Sequence, residues 1–323
     1  MIGVVADIGG THARFASVVR DANGFPILET TRILATKDFS SFDSAFESFI
    51  SQLPCRPRTA SIALACPIAS DRMKLTNNHW ELEVSSLAET LCVDTLHLLN
   101  DFEAIARSIA LLPNEQFIPL GIPGFSPAIQ GAISVVGPGS GLGVSMLVRE
   151  PSGDRIVACE GGHVGFSPAD DIEIHLLRTL MENRGRVSAE RFVSGPGLAE
   201  IYLALGRRDG KVMSPPQNID LWSEALDGKN ALAVAALERW LGLLGTFAGD
   251  IALAHGATAV VLAGGLLSRL AGRVDFSPLL QRFRAKGRLE AYMDRIPIAL
   301  IAYPEPGLLG AASLLVEKKV ELA

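Results

Sequence analysis

Short apolar runs, each broken by glycine, punctuate both halves of the chain. Ile2-Gly3-Val4-Val5-Ala6 leads into Asp7-Ile8-Gly9-Gly10-Thr11-His12 and then Ala13-Arg14-Phe15-Ala16-Ser17-Val18-Val19. Two β-forming runs around a glycine turn predict a hairpin. The plan recurs as Ala132-Ile133-Ser134-Val135-Val136, Gly137-Pro138-Gly139-Ser140-Gly141-Leu142-Gly143 and Val144-Ser145-Met146-Leu147-Val148. This repetition predicts a duplicated α/β domain. Between the hairpins, Thr95 to Leu99 predicts a strand running into Asn100-Asp101 and an amphipathic helix from about Phe102 to Leu112, stopped by Pro113. The Pro- and Gly-rich stretch Pro119 to Pro127 is the expected first crossing between domains. Ala231 to Leu267 is the most apolar segment, but Glu238, Arg239, Asp250 and His255 interrupt it. It predicts a buried helix and then a buried strand, not a membrane span. A strand Ile298 to Tyr303, the turn Pro304-Glu305-Pro306-Gly307 and a helix Leu308 to Lys318 close the chain.

The length, 323 residues, exceeds that of a usual single domain and predicts two domains with a cleft between them. A formal net charge of −6, with no basic run interleaved with aromatics, argues against nucleic acid and for small molecules. The four cysteines form no C-x-x-C pair, so neither a disulfide framework nor a cysteine zinc site is implied. The N-terminus has no basic region before Asp7 and reads as no export signal. A cytoplasmic protein without a membrane partner is the expectation.

The glycine turns carry the chemistry. No G-x-x-x-x-G-K-[ST] is present, and Gly137 to Gly143 neither gives G-x-G-x-x-G nor precedes a helix, which argues against the phosphate loop and the dinucleotide fold. Both hairpin turns instead offer backbone N–H groups and a small hydroxyl, Thr11 or Ser140, able to cup phosphate oxygens. Either alone reads equally well as a plain tight hairpin. After the strand Thr258 to Ala263, Gly264-Gly265 opens a helix and lets backbone approach a flat ring or ribose; an ordinary strand-to-helix turn looks the same. Asp-x-Gly-Gly-Thr, Gly-x-Gly-Ser-Gly and Ala-Gly-Gly in that order are much less expected by chance than any one of them.

With these motifs the chain resembles the sugar kinases of the actin-like ATPase (ribonuclease H-like) superfamily, and more closely the bacterial glucokinase family. Further matches run through most of the chain: Ala65-Cys66-Pro67-Ile68, Thr76-Asn77 with Trp80, Asn100-Asp101-Phe102, Glu160-Gly161-Gly162-His163-Val164, Val187 to Arg191, Ser194 to Leu198 and Pro306 to Gly310. The resemblance implies duplicated mixed-sheet domains around a cleft, a small one from residues 1–112 plus 301–323 and a large one from 113–300. It implies transfer from ATP with Mg²⁺ to the 6-hydroxyl of glucose, by a homodimer. ATP is expected on Ala6, Asp7, Ile8, Gly9, Gly10 and Thr11, on Gly137, Gly139, Ser140 and Gly141, and on Gly264 and Gly265. Asp7 is expected to reach Mg²⁺ only through water.

A sugar hydroxyl is a poor nucleophile at neutral pH and needs a carboxylate to take its proton. Asp101 is the candidate base. Local sequence equally suits a cap by Asn100, with Glu103 completing a capping box and Asp101 favouring the helix dipole; the resemblance makes Asp101 the base and Asn100 a sugar ligand. Glu160 and His163 present complementary acceptors and donors to adjacent hydroxyls, against a solvated hairpin tip or a metal pair. Glu190 reads by default as a surface helix carboxylate paired with Arg186 or Arg191, and Asn77 as a turn residue; the resemblance brings both to the glucose. Three departures stand out: His12 where the family commonly has Asn, Ser140 where it has Thr, and Gly165 where it has Asp. Rival readings are a kinase for another hexose, a sugar-binding regulator and an assembling ATPase on the same fold.

Overall fold

The computed structural model describes residues 1–316 except 67, 69, 76 and 77. The chain divides into two compact units. Met1–Pro113, Ile156–Ala158 and the chain from Tyr303 form the first; Asn114–Arg155 and Cys159–Ala302 form the second.

The first unit holds strands β1 (Gly3–Ile8), β2 (His12–Arg20), β3 (Pro26–Ala35) and β4 (Thr59–Leu64), a small ribbon of β5 (Arg72–Lys74) and β6 (Glu81–Glu83), and β7 (Thr95–Asn100). Its five-stranded sheet runs β3-β2-β1-β4-β7, with β1 antiparallel to β2 and parallel to β4, and β4 parallel to β7. A strand covered on both faces needs a near-continuous apolar run, and β1 has one. Val4, Ala6 and Ile8 join the core beneath the helix Phe42–Ile50, while Val5 joins Leu308 and Ala311 of the helix Pro306–Val316. The first helix is capped by the Ser41 side chain. Its phenylalanines at 42, 46 and 49 fall on one face, as the 3.6-residue repeat demands, and surround Phe15, whose ring centroid lies 5.3 Å from that of Phe49.

A six-stranded sheet, which lies in the second unit apart from Ile156–Ala158, repeats this plan with β8 (Phe117–Pro119), β9 (Gly131–Pro138), β10 (Leu142–Glu150), β11 (Gly153–Cys159), β12 (Ala259–Leu262) and β13 (Ile298–Ile301). The strand order is β11-β10-β9-β12-β13-β8. Antiparallel β9 and β10, then parallel β9, β12 and β13, reproduce the senses of β1, β2, β4 and β7, as the repeated hairpin predicts. β8 is an added edge, antiparallel to β13. The helix Ala231–His255 is capped by the Asn230 side chain and ended by Gly256 in the left-handed region. Among the described residues it is the one helix long and apolar enough to cross a membrane. Trp240, Leu244 and Ala248 bury it in the second unit's core, which explains its apolar composition.

Three boundaries differ from the sequence reading. The helix after β7 spans Asp101–Ser108, because the next turn tightens and the N–H groups of Leu111 and Leu112 both donate to the Ser108 carbonyl. The last strand stops at Ile301 and the last helix starts at Pro306, where a missing N–H costs nothing. Pro119 to Pro127 is no crossing between units: β8 already pairs with β13, and Leu120 and Ile122 are buried in the second unit's core.

Candidate active site

In open α/β sheets, ligands gather at the carboxyl ends of the parallel strands. In the first unit those ends carry Asp7 and the following turn, Leu64 to Cys66, and Asn100-Asp101. The Gly9–Thr11 turn is tied from behind. Gly9 N–H donates to the His12 carbonyl (3.0 Å) and Thr36 N–H to that of Thr11 (3.0 Å). The Thr36 hydroxyl donates to the Gly10 carbonyl (3.1 Å) and the Asn78 amide to that of Gly9 (3.3 Å). With the carbonyls engaged inside the protein, the turn presents an anion with N–H groups and the Thr11 hydroxyl. That hydroxyl sits 2.9 Å from His12 Nδ1.

Asp7 lies opposite Arg14 across the hairpin. Arg14 Nη1 is 3.8 Å from the Asp7 carboxylate, and Arg14 Nε is 3.1 Å from Glu305. The Asp7 side chain keeps 21% of its surface exposed, yet the surrounding protein raises its carboxyl above the ordinary range against the pull of Arg14. Burial also raises Glu305, against Arg14 and with Asp7. Neither Arg14 nor Glu305 was expected here from sequence. Arg14 stands two residues beyond His12 on the same face of a strand, which is a usable signal; Glu305, from the other end of the chain, offers none.

The helix Asp101–Ser108 is capped as the local sequence suggests. Asn100 Oδ1 accepts from Phe102 N–H (2.9 Å) and Glu103 N–H (3.3 Å), while its amide reaches the Cys66 carbonyl at 3.5 Å. No capping box closes, since Glu103 pairs with Arg107 at 3.2 Å instead. The Asp101 carboxylate accepts from Phe102 N–H at 2.9 Å. Capping therefore falls to Asn100, and Asp101 sits in the first turn, where the helix dipole favours a carboxylate. Asn77 lies outside the described residues.

In the second unit the turn between β9 and β10 carries Gly137 to Gly141. Gly139 N–H donates to the Gly141 carbonyl (2.8 Å) and Gly195 N–H to the Gly139 carbonyl (2.7 Å), with Gly139 and Ser140 exposed at the tip. The Gly264-Gly265 junction lies beside this turn, at the end of β12. Gly264 has φ +107, and a Cβ there would meet the Pro138 carbonyl at 3.2 Å, so both conformation and closeness require glycine.

Glu160, His163 and Glu190 come together in this unit. Glu160 precedes the 3-10 helix Gly161–His163, so the turn is ordered, and the Glu160 and His163 side chains remain about half exposed, 51% and 57%. His163 Nε2 lies 3.8 Å from Glu160 and Nδ1 4.0 Å from Glu190 Oε1. Glu190, on the 3-10 helix Ala189–Arg191, accepts from Leu142 N–H at 3.0 Å through Oε2. It is not the surface carboxylate of the default reading, because its side chain is only 26% exposed. Arg186 binds the His163 carbonyl (2.8 Å) in place of Glu190, and Ala189 N–H donates to the Val164 carbonyl (2.9 Å). Two carboxylates and an imidazole within 4.0 Å can grip vicinal hydroxyls. Among the described residues no group of three or more His, Cys, Asp or Glu is arranged to hold a metal ion.

Comparison with known proteins gives these groups a context. A family model described as Glucokinase matches residues 4–318. The chain is 44% identical over 324 residues to a glucokinase of Zymomonas mobilis, covering 99% of each. It is 37% identical to one of Nitrobacter hamburgensis, covering 97% of each. Among solved structures, a glucokinase from an Antarctic psychrotroph superposes with a TM-score of 0.81 at 32% identity, over 97% of this chain and 98% of that one.

Proposed function

This chain belongs to the glucokinase family and is an ATP-dependent kinase of glucose on the actin-like ATPase fold, and from that premise we propose that Asp101 is the base that directs transfer to the 6-hydroxyl. The observation carrying this reading is the Asp101 carboxylate in the first turn of a helix, next to a capping Asn100, at the carboxyl edge of the sheet. The glucose ligands in this reading are Asn77, Asn100, Glu160, His163 and Glu190. As the 6-oxygen attacks the γ-phosphorus, its proton passes to Asp101, the bond from phosphorus to the bridging oxygen breaks, and ADP leaves with the electron pair. Backbone N–H groups of the two glycine turns other than those of Gly9 and Gly139, which are engaged within their turns, hold the phosphates where negative charge moves, with the Thr11 and Ser140 hydroxyls. Ala6, Ile8, Gly264 and Gly265 complete the nucleotide site.

Asp7, a hard carboxylate with Glu305 near it across Arg14, suits a Mg²⁺ ion carried on the nucleotide phosphates and touched through water. When bound, Mg²⁺ neutralises phosphate charge. Asp7→Asn is expected to lower kcat/KM for Mg-ATP by about 10- to 100-fold. It should leave the melting temperature unchanged or raised, because a carboxyl whose pKa rises on folding opposes folding once ionised. Steady-state kinetics beside a thermal melt checks both halves of that expectation. The enzyme works as a homodimer in the cytoplasm, where ATP is supplied.

His12 competes with phosphate for the hydrogen of the Thr11 hydroxyl. Its Nδ1, 2.9 Å from the Thr11 oxygen, can accept the hydrogen that the hydroxyl would otherwise donate to phosphate. His12→Asn, which withdraws that ring nitrogen, is expected to tighten nucleotide binding several-fold. Titration calorimetry with Mg-ADP decides it, and identical affinities for the two proteins would remove His12 from the account. The reaction itself is tested by ³¹P NMR of the product made from glucose and Mg-ATP. A 6-phosphate ester supports the reading; an ester at another position contradicts it.

A further inference from the structure

The phosphate turn between β9 and β10 is held by one short stretch of chain. Gly195 N–H donates to the Gly139 carbonyl at 2.7 Å, and Gly195 is itself braced by Trp222, whose Nε1 donates to its carbonyl at 3.0 Å. Five residues earlier, Glu190 Oε2 accepts the N–H of Leu142 at 3.0 Å. The second oxygen of that carboxylate, Oε1, points to the other task, 4.0 Å from His163 Nδ1 in the group that grips sugar. One side chain thus touches the nucleotide turn and the sugar ligands at once.

We propose that Glu190 couples the two substrates: one oxygen fixes the phosphate turn through Leu142 N–H, the other fixes the sugar beside His163, and each substrate favours the other through this carboxylate. The inference rests on the reading of Glu190 as a sugar ligand. The chemistry is that of a shared acceptor. A sugar hydroxyl donating to Oε1 restrains the carboxylate in the position where Oε2 already accepts from Leu142 N–H, so nucleotide meets a turn whose ordering cost is partly met. Linkage makes the effect reciprocal, so nucleotide must tighten sugar by the same factor.

Gly141 offers a way to break the coupling from the nucleotide side. A Cβ at this position would lie 2.5 Å from Glu190 Oε2 and 3.2 Å from its carboxyl carbon. The obstacle is the end of a flexible side chain and not backbone, so an alanine is accommodated by pushing the carboxylate away while the fold is kept. A substitution in the phosphate turn is therefore expected to weaken glucose.

The test measures glucose binding by titration calorimetry with and without Mg²⁺ and a non-hydrolysable ATP analogue, and analogue binding with and without glucose. The wild-type protein is expected to show a coupling factor of about fivefold or more, equal in both directions. Gly141→Ala should weaken glucose about tenfold without nucleotide present and bring the factor to about one. Glu190→Asp, one methylene too short to span both partners, should also abolish the factor, and it decides the matter if Gly141→Ala shows no cooperative melt. A wild-type factor of one, or a wild-type factor kept in either folded variant, overturns the proposal. Glu190→Ala separates the levels. Unchanged glucose affinity in that variant removes Glu190 from the sugar site, whereas lost affinity with coupling intact in the other two leaves the sugar site standing and the coupling refuted.

Discussion

Asp101→Asn is expected to lower kcat by about 10²- to 10⁴-fold, equivalent to about 3 to 5 kcal/mol at the transition state, while glucose affinity stays near the wild-type value. The substitution keeps the shape of the side chain and an oxygen that can accept from Phe102 N–H, so the head of the helix has no reason to rearrange. The cap belongs to Asn100, whose own bonds to Phe102 and Glu103 are untouched. What is lost is the ability to take a proton as the sugar oxygen attacks phosphorus. A fall in kcat with the glucose dissociation constant preserved marks an interaction needed in the transition state alone. A parallel loss of melting temperature would instead mean that Asp101 acts through the helix, and near-normal turnover would remove it from the chemistry.

Gly310→Ala carries the largest expected effect on stability. The helices Asp101–Ser108 and Pro306–Val316 cross so closely at Gly310 that a Cβ there would overlap the Ala104 carbonyl oxygen outright. That oxygen is backbone, so the clash is relieved only by moving one helix against the other, and one of the two carries Asp101. Overpacking of this kind is expected to cost about 3 kcal/mol, which lowers the melting temperature of the first unit by about 6 to 12 °C. Activity below the new melting point should fall more in kcat than in nucleotide affinity, since the Gly9–Thr11 turn lies on the β1–β2 hairpin. Differential scanning calorimetry with kinetics at low temperature measures both. An unchanged melt would show that the terminal helix does not lock onto its neighbour as described.

The sequence made some parts of this molecule legible for clear physical reasons. The two hairpins showed because β-runs around glycine have few other uses, and their repetition anticipated two sheets with the same order of strands. Ala231 to Leu267 was readable as buried helix and strand because its few charges, Glu238, Arg239 and Asp250, leave the buried face of the helix apolar. Asn100 and Asp101 were visible as a pair, but local pattern allowed a capping box that the ion pair between Glu103 and Arg107 forecloses. Composition misled at Pro119 to Pro127: prolines and glycines mark a turn, and only the pairing of β8 with β13 tells to which unit that turn belongs. Contacts between distant segments stayed hidden altogether. Nothing about Pro304-Glu305-Pro306 announces a partner in Arg14, and Glu190 looks like any exposed carboxylate until Leu142 and His163 are found on either side of it.

The measurement that bears most directly on the whole account is ADP release from Mg-ATP by the purified protein, with no sugar, with glucose, and with each of a panel of other hexoses. Release that depends on glucose, and that exceeds release with the other hexoses, is the predicted result. Folded protein that releases no more ADP with glucose than without any sugar would contradict it.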